Sequence, residues 1–299
     1  MNAAVHCYPG YAAPAERLAA ALALPCRPIA LRHFPDGESL VRVAESGAIA
    51  LIYCPLDNPD AKLVHLLLAA SALRDGGARQ VVLVAPYLGY MRQDRAFSPG
   101  EAVSQGVVGR LLASTCDALV TVDPHLHRTP SLELVVPGIA CANVSAAPTI
   151  AMAMADRLAP DTILVGPDAE SSGWLQALAI PMGLDWIVGE KRRIADRKVE
   201  IGFLDAARVR GKPVLLVDDM ISSGGTLLQC TAALRQAGAT VTGAVATHCL
   251  ASEADLAALA HSIGPILATD TIPGPVATIA MAAALADAIN QLPFMTHRL

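Results

Sequence analysis

The sequence predicts an α/β protein of two domains, each with a mainly parallel β-sheet flanked by helices. The chain has 299 residues, and domains of about 100 to 200 residues make two the expected number. Apolar runs of strand length alternate with Ala- and Leu-rich segments of helical length, which is the pattern of repeated βα units. Because these runs are apolar at successive positions, we expect strands buried on both faces, as in parallel sheets.

The predicted strands end abruptly in polar or turn-forming residues, which marks where each one stops. Each run is too short for an average helix, and its continuous apolarity favours a covered strand. In chain order the predicted strands are Val81–Ala85, Ala118–Val122, Thr162–Val165, Val214–Val217 and Thr240–Ala246.

Helices are predicted between these strands. The clearest lies between Asn58 and Gly76, with Asn58 as a possible N-cap, Pro59 in the first turn and glycine at its end. A second helical run, Leu227–Gln236, follows the strand at 214–217. Both segments have the length and apolar body of helices that cover a sheet.

The domain boundary is predicted in the region 142–148. The alternation of strands and helices pauses there in small and turn-forming residues. We therefore expect an N-terminal domain at 1–144 and a C-terminal domain at 145–299.

The composition is that of a folded protein with a small-residue interior. Hydrophobic residues make up 54% of the chain and aromatic residues only 4%, so Ala, Val, Leu and Ile must build the core. The net charge of -5 argues against a general nucleic-acid binder, which needs a basic face. A small phosphorylated substrate remains possible, since it needs only local cations such as those at 191–193.

No membrane segment or secretion signal is predicted. The longest uncharged stretch, 134–155, is interrupted by Pro137, Gly138 and Pro148, and the N-terminus has no basic region ahead of an apolar core. The seven cysteines are odd in number and form no CxxC pair, which predicts reduced thiols rather than a zinc site. We expect a cytoplasmic protein.

Acidic residues follow several of the predicted strands. Asp123, Asp168 and the pair Asp218 and Asp219 each come directly after or close behind an apolar run. Open α/β sheets bind ligands at the carboxyl ends of their strands. An Asp at such a place can also be a loop cap, but repeated placement favours a site.

The segment VLLVDDMISSGGTL, residues 214–227, combines the features of a sugar-phosphate site. Two adjacent carboxylates can accept hydrogen bonds from sugar hydroxyls or hold a magnesium ion. The glycine- and hydroxyl-rich loop leads into a helix whose N-terminal N–H groups favour phosphate, and no Gly-Lys-Ser/Thr of a Walker loop follows. The alternative is an ordinary strand, turn and capped helix. The candidate residues are Asp218, Asp219, Ser222, Ser223, Gly224, Gly225 and Thr226.

VDDMISSGGT resembles the binding motif for 5-phosphoribosyl 1-diphosphate (PRPP) of type I phosphoribosyltransferases and PRPP synthetases. Further segments are similar to those of the synthetases, the ribose-phosphate diphosphokinases, in order and approximate spacing, so the resemblance covers nearly the whole chain. RQDR is fairly specific in this setting, whereas FPDGE or EKRR alone would be weak. The segments are FPDGES (34–39), PYLGYMRQDR (86–95), VDPHLHR (122–128), GPDAES (166–171), EKRR (190–193) and ATDTIP (268–273).

The resemblance implies two phosphoribosyltransferase-like domains and an enzyme that transfers the diphosphate group of MgATP to the C1 hydroxyl of ribose 5-phosphate. It implies a nucleotide site of Arg92 and Gln93, with Phe34, Asp36 and Glu38 reaching it from a neighbouring subunit, and hence a homo-oligomer, at least a dimer. An arginine can bind phosphate, and an aromatic ring can cover adenine. The alternative for these residues is a core Phe and solvated turn charges.

The resemblance also implies metal-associated and catalytic residues. His125 matches the magnesium-associated histidine of the family, and Asp168 matches the acid that completes that site. Lys191 and Arg193 match catalytic residues of a flexible loop, where cations stabilise the charge that builds up in diphosphate transfer. The alternatives are a structural histidine and a solvated basic loop. The polar stretch IADRKVEIG after EKRR is expected to be a loop before the next strand.

The chain departs from the commonest bacterial pattern of the family. RQDR is followed by AFSPGEAVS rather than by basic residues, the sugar-phosphate loop has SSGG where an acidic residue and Thr are frequent, and GPDAES lacks paired glycines. These features, with EKRRIADRKVEI, are more similar to archaeal-type synthetases. The departures weaken the expectation of hexamer formation, of regulation by ADP and phosphate, and of strict donor specificity. They have little effect on the expected reaction class.

Three other functions stay open at this point. The first is a phosphoribosyltransferase that consumes PRPP, against which the second domain with PYLGYMRQDR argues. The second is a non-catalytic regulatory relative, against which the retention of the acids, His125, Lys191 and Arg193 argues. The third is a synthetase that accepts another pentose phosphate.

Overall fold

A computed structural model describes residues 3–45, 47–126, 128–195, 198–203 and 205–295, with the backbone alone at 191–195 and 198–201. The chain divides into two compact units, Met1–Val144 with Met281–Leu299, and Ser145–Ala280. The predicted C-terminal domain, 145–299, includes the last helix of the described chain, but this helix packs on the first unit. Its apolar face alone could not show which sheet it covers.

The first unit alternates strands and helices along the chain. Its elements are β1 (Ala3–Cys7), α1 (Ala12–Ala21), β2 (Cys26–Pro28), β3 (Ala30–His33), β4 (Ser39–Arg42), β5 (Ile49–Tyr53), α2 (Pro59–Asp75), β6 (Gln80–Ala85), α3 (Ser104–Thr115), β7 (Ala118–Val122), α4 (Leu132–Val135) and β8 (Ala140–Val144). The parallel sheet has the order β2-β1-β5-β6-β7-β8, and β3 and β4 form a separate antiparallel hairpin.

The second unit repeats this arrangement. Its elements, followed by the last helix of the chain, are α5 (Ala147–Met154), β9 (Ile163–Gly166), α6 (Ser172–Met182), β10 (Asp185–Val188), β11 (Glu190–Ala195), β12 (Lys198–Gly202), β13 (Pro213–Ile221), α7 (Gly225–Gln236), β14 (Thr240–Cys249), α8 (Glu253–Ile263), β15 (Ile266–Thr269), β16 (Ala277–Ile279) and α9 (Ala282–Asn290). The parallel sheet has the order β10-β9-β13-β14-β15-β16, with β11 and β12 as the hairpin. Adding eight to each strand number in the order of the first sheet gives the order of the second sheet. The predicted pair of similar α/β domains is therefore confirmed.

Helices cover both faces of the first sheet. Leu66 and Leu73 of α2 and Leu112 of α3 pack in one core with Ile52 and Leu83 of the strands. On the other face α9 contacts α1, β7 and β8. Every residue of β5 and β7 is buried, as the continuous apolar runs require.

The predicted elements are present, with two differences at functional segments. The strand at 214–217 continues to Ile221, so Asp218 and Asp219 lie within β13 rather than after it. The second part of the polar stretch after EKRR forms strand β12, where Lys-Val-Glu-Ile alternates polar and apolar residues with the period of a strand. Helix α2 begins at Pro59 after Asn58, whose side chain makes no capping hydrogen bond. Within the described residues, no helix is both long and apolar enough to span a membrane.

Candidate functional site

The candidate sugar-phosphate site lies where the second sheet reverses its strand order. The chain passes from β9 to β10 on one side and then to β13 on the other, so β9 and β13 are neighbours at the reversal. Doubly wound sheets bind ligands beyond the carboxyl ends of the strands at this point. Asp168 follows β9, and Asp218 and Asp219 lie near the carboxyl end of β13.

Two neighbouring carboxyl groups affect the ionisation of Asp218 at this edge. The backbone N–H of Asp219 donates to Oδ1 of Asp218 at 3.0 Å. Burial, and then the negative charges of Asp219 and Asp168, raise the pKa of Asp218 well above its ordinary value. A cation or a set of hydroxyl donors at this edge would relieve the crowding of negative charge.

Asp168 has a structural role as well as a place at this edge. Its Oδ1 accepts a hydrogen bond from the N–H of Glu170 at 3.1 Å, and its carbonyl accepts from the Ser171 hydroxyl at 2.6 Å. The alternative interpretation of Asp168 as a loop cap is therefore correct for its local hydrogen bonding. Gly166 permits this tight turn, because a Cβ there would lie 2.1 Å from Oγ of Ser171.

The Ser-Gly-Gly-Thr loop between β13 and α7 has a geometry that suits an anion. Gly224 has a φ of +77° and is buried against Leu259 of α8, and α7 begins at Gly225. Ser222 and Ser223 are exposed and Thr226 is half-buried. The first N–H groups of α7 have no carbonyl partner within the helix, so this end favours phosphate.

The hairpin of β11 and β12 carries the predicted catalytic cations. Lys191 pairs with Ile201 and Arg193 with Val199 in the antiparallel register. The side chains of Lys191 and Arg193 lie outside the described part of the structure, and their catalytic role stays a prediction.

The predicted nucleotide loop of the first unit is an exposed hairpin turn. The N–H of Phe34 donates to the carbonyl of Glu38 at 2.8 Å, and the N–H of Glu38 donates to Oδ1 of Asp36 at 3.1 Å. Phe34 is 40% exposed, with the guanidinium of Arg32 5.2 Å from the ring centroid. The turn alternative is correct for the backbone, and the core alternative for Phe34 is wrong.

The hairpin of β3 and β4 is fixed to α2 by a hydroxyl between two imidazoles. Oγ of Ser39 lies 3.2 Å from Nδ1 of His33 and 2.9 Å from Nε2 of His65. These residues, with Gly37 and Glu38, line a pocket of about 410 Å³. The exposed turn at 34–38 therefore extends from a hairpin that is held against α2.

The other predicted nucleotide residues lie after β6. Arg92 is exposed and Gln93 is half-buried. Nε2 of Gln93 donates to Oε2 of Glu101 at 3.0 Å, and the N–H of Phe97 donates to the same oxygen at 2.8 Å. Backbone and side-chain donors around Glu101 lower its pKa. His125, the predicted metal-associated residue, is half-buried in the loop after β7.

Sequence reasoning missed the polar contacts that fix these loops. Arg128 donates to both carboxylate oxygens of Asp94 at 3.2 and 3.1 Å. Gln105 and Thr129 form a hydrogen bond of 2.8 Å. Partners separated by 24 residues or more carry no local signal, so no motif could have revealed them.

The second unit offers carboxylate oxygens, which are the donors that Mg²⁺ prefers. Among the described side chains, no group of three His, Cys, Asp or Glu residues is gathered closely enough to hold a metal by itself. Mg²⁺ commonly uses one or two carboxylates, with phosphate oxygens and water completing its shell. Asp168, one of the two predicted metal residues, offers one such carboxylate at the edge of the second sheet.

The fold and the site together define a protein of the phosphoribosyltransferase class, with two such units in one chain. Residues 149–265 match the family model described as phosphoribosyl transferase domain. Residues 10–115 match the model described as N-terminal domain of ribose phosphate pyrophosphokinase. The chain belongs to the ribose-phosphate pyrophosphokinase family.

Full-length relatives support this membership. A ribose-phosphate pyrophosphokinase of Methanopyrus kandleri is 36% identical over 281 residues, covering 93% of this chain and 95% of the relative. One of Pyrococcus furiosus is 35% identical, covering 86% and 90%. The crystal structure of phosphoribosylpyrophosphate synthetase from Mycobacterium smegmatis is 26% identical with a TM-score of 0.83, covering 97% of this chain and 98% of that one. The predicted family, its archaeal-type resemblance and the fold class are confirmed.

Proposed function

We propose that this chain transfers the diphosphate group of ATP to the C1 hydroxyl of ribose 5-phosphate, giving PRPP and AMP for nucleotide biosynthesis. The observation that carries the proposal is the edge of the second sheet, where Asp218 and Asp219 precede a phosphate-suited loop at the start of α7. Family membership over nearly the whole chain supports the reaction class.

The acceptor is held by the second unit. The N-terminal N–H groups of α7 and the hydroxyls of Ser222, Ser223 and Thr226 bind the 5-phosphate, and Gly224 and Gly225 let the backbone approach it. Asp218 and Asp219 accept hydrogen bonds from the ribose hydroxyls. This arrangement selects a pentose monophosphate whose hydroxyls can donate to two adjacent carboxyl groups.

The donor is held by residues of the first unit. Arg92 and Gln93 bind ATP, and Phe34, Asp36 and Glu38 of a second copy of the chain complete the adenine site. The exposure of the turn at 34–38 supports this assignment, because it leaves these side chains accessible to another copy of the chain. The proposal requires at least a homodimer.

Asp168 and His125 are assigned to Mg²⁺. Asp168 offers a hard carboxylate oxygen, which suits this ion better than the imidazole does. When bound, the ion neutralises charge on the diphosphate group. The chain's own residues then orient the C1 oxygen for in-line attack on the β-phosphorus, and the bond to the departing AMP breaks.

Lys191 and Arg193 supply fixed positive charge during this transfer. Negative charge spreads over the transferred group and AMP, and cations held near it lower the barrier. No covalent intermediate with the protein is required.

A cytoplasmic location is part of the proposal. All of the cysteines are free thiols, and burial raises the pKa of Cys54 and Cys116 to about 12. Protonated, buried thiols are expected of a protein kept in a reducing compartment.

The test is to incubate the pure protein with ATP, Mg²⁺ and ribose 5-phosphate and to measure AMP and PRPP. We expect both products in equal amounts, and we expect Lys191→Ala to lower kcat roughly a thousandfold because it removes charge stabilisation from the transition state. Lys212→Ala is the matched control, since Lys212 lies at the amino end of β13, away from the site.

Formation of neither product would contradict the proposal and favour a regulatory relative. Failure to make PRPP together with its consumption in the presence of a nucleobase would favour a phosphoribosyltransferase. Equal activity on another pentose phosphate would correct the acceptor.

A further inference from the structure

Gln105 lies in the first turn of α3 and joins two loops of the first unit. Gln105 is buried, with only 5% of its surface exposed. Its backbone N–H donates to the carbonyl of Gln93 at 3.2 Å, and its Nε2 donates to the carbonyl of Met91 at 3.2 Å. Its Oε1 accepts from the hydroxyl of Thr129 at 2.8 Å.

The orientation of the Gln105 amide is fixed by its partners. The Met91 carbonyl can only accept, so the amide nitrogen must face it. The amide oxygen then faces the Thr129 hydroxyl, which can donate. Both ends of a buried amide are therefore used, and replacing either end would leave a polar group without its partner.

The two loops that Gln105 joins have an irregular backbone. Residues 86–103, all of them described, form no helix or strand. The loop after β7 likewise has no regular structure at 123–126 or 128–131. Irregular backbone depends on side-chain partners to fix its conformation.

A second contact joins the same two loops. Arg128 binds both carboxylate oxygens of Asp94, and the Asp94 side chain is 5% exposed while that of Arg128 is 49% exposed. An ion pair with one exposed partner is weakened by solvent. The buried amide of Gln105 is shielded from solvent, so its hydrogen bonds hold the two loops more strongly than the ion pair does.

We infer that Gln105 is a positioning residue that clamps the segment carrying Arg92 and Gln93 to the loop carrying His125. The inference rests on the proposed function, in which these segments serve the nucleotide and the metal. Gln105 touches neither substrate, and it acts by limiting the conformations of residues that do. Thr129 is its partner in this role.

The first measurement is amide hydrogen exchange on the protein without ligands. Gln105→Met keeps the size of the side chain but removes both amide partners. We expect exchange in 86–103 to become roughly tenfold faster, because two hydrogen bonds to the loops are lost. Ser114→Ala is the matched control, since the Ser114 hydroxyl donates to Leu111 on the exposed side of the same helix.

The second measurement is steady-state kinetics. We expect Gln105→Met to raise KM for ATP roughly tenfold while KM for ribose 5-phosphate changes less than about twofold, because only the first unit is disturbed. Thr129→Val removes the same bond from a half-buried position, so it tests the inference if the Met variant folds poorly. The double variant should resemble Gln105→Met alone, since the bond is already absent.

The outcomes separate the two proposals. Unchanged exchange in 86–103, or equal increases of KM for both substrates, would overturn the positioning role even if the wild type makes PRPP. The positioning role would also be overturned if the effects of Gln105→Met and Thr129→Val multiplied in the double variant. A wild type without turnover would overturn the proposed function, and the positioning role would be rejected with it.

Discussion

His6 shows how a single polar residue is accommodated inside the first sheet. It lies on β1 with none of its surface exposed, and neither ring nitrogen has a hydrogen-bond partner among the described residues. Burial, with a contribution from the positive charge of Arg27, lowers its pKa to about 4. The folded protein therefore holds this imidazole neutral in the range where an exposed histidine becomes charged.

This gives a pH dependence of stability with a definite sign. Below the unfolded pKa of about 6.5 the unfolded chain binds a proton that the folded chain does not, so stability is full above that pH and falls as pH decreases toward 4. Between pH 7 and pH 5 the free energy of unfolding should fall by about 2 kcal/mol on this account.

Urea unfolding of the wild type and His6→Leu at both pH values measures the effect. The variant should lose about 2 kcal/mol of the wild-type pH dependence, because Leu does not titrate. An equal pH dependence in both proteins would show that other groups cause it.

At the scale of elements, the loop from β13 to α7 contains two adjacent glycines with different requirements. Gly224 has a φ of +77°, and a Cβ there would lie 2.6 Å from the methyl carbons of Leu259. Gly225 has a normal backbone, and the nearest atom to its Cβ would be Oγ of Ser223 at 3.9 Å. Only the first position demands glycine for the fold.

Gly224→Ala should lower the free energy of unfolding by about 1 to 3 kcal/mol, through backbone strain and the contact with Leu259. Gly225→Ala is the matched control and should leave it unchanged or raise it slightly, as alanine favours helices. Thermal or urea unfolding of the two variants distinguishes them. Equal losses would mean that the loop does not hold the described conformation.

The elements also show what sequence patterns can and cannot reveal. The strands around 81–85 and 118–122 are predictable, because a strand covered on both faces must be apolar throughout. β1 escapes prediction because His6 interrupts its apolar run, and the hairpin of β3 and β4 escapes because its exposed residues form no such run. Strand β12 is missed because its alternating polar and apolar residues form no continuous apolar run.

At the scale of the whole molecule, the two units use the same strand order but carry different residues at equivalent places. The hairpin of β3 and β4 presents the turn at 34–38, and the equivalent hairpin of β11 and β12 carries Lys191 and Arg193. The Asp-Asp strand and its loop occur in the second unit, where local sequence was enough to predict them. The Gln105 contacts could not be predicted, because they depend on how distant loops fold together.

Different substrates should therefore protect different units. We expect ribose 5-phosphate to slow amide exchange at 214–226 and ATP to slow it at 34–38 and 91–95, because each ligand orders the backbone that binds it. Hydrogen exchange with each substrate alone measures this. Protection of one unit by both substrates would contradict the assignment of donor and acceptor sites.

The return of the chain to its first unit affects the order in which the protein can fold during synthesis. Domains usually fold as they emerge from the ribosome, N-terminal first. Here α9, whose Leu285 and Ile289 are buried, is made after the segment that forms the second unit. The first unit therefore completes its core only after the contiguous segment 145–280 has been synthesised. Until then, one face of the first sheet stays partly uncovered in the nascent chain.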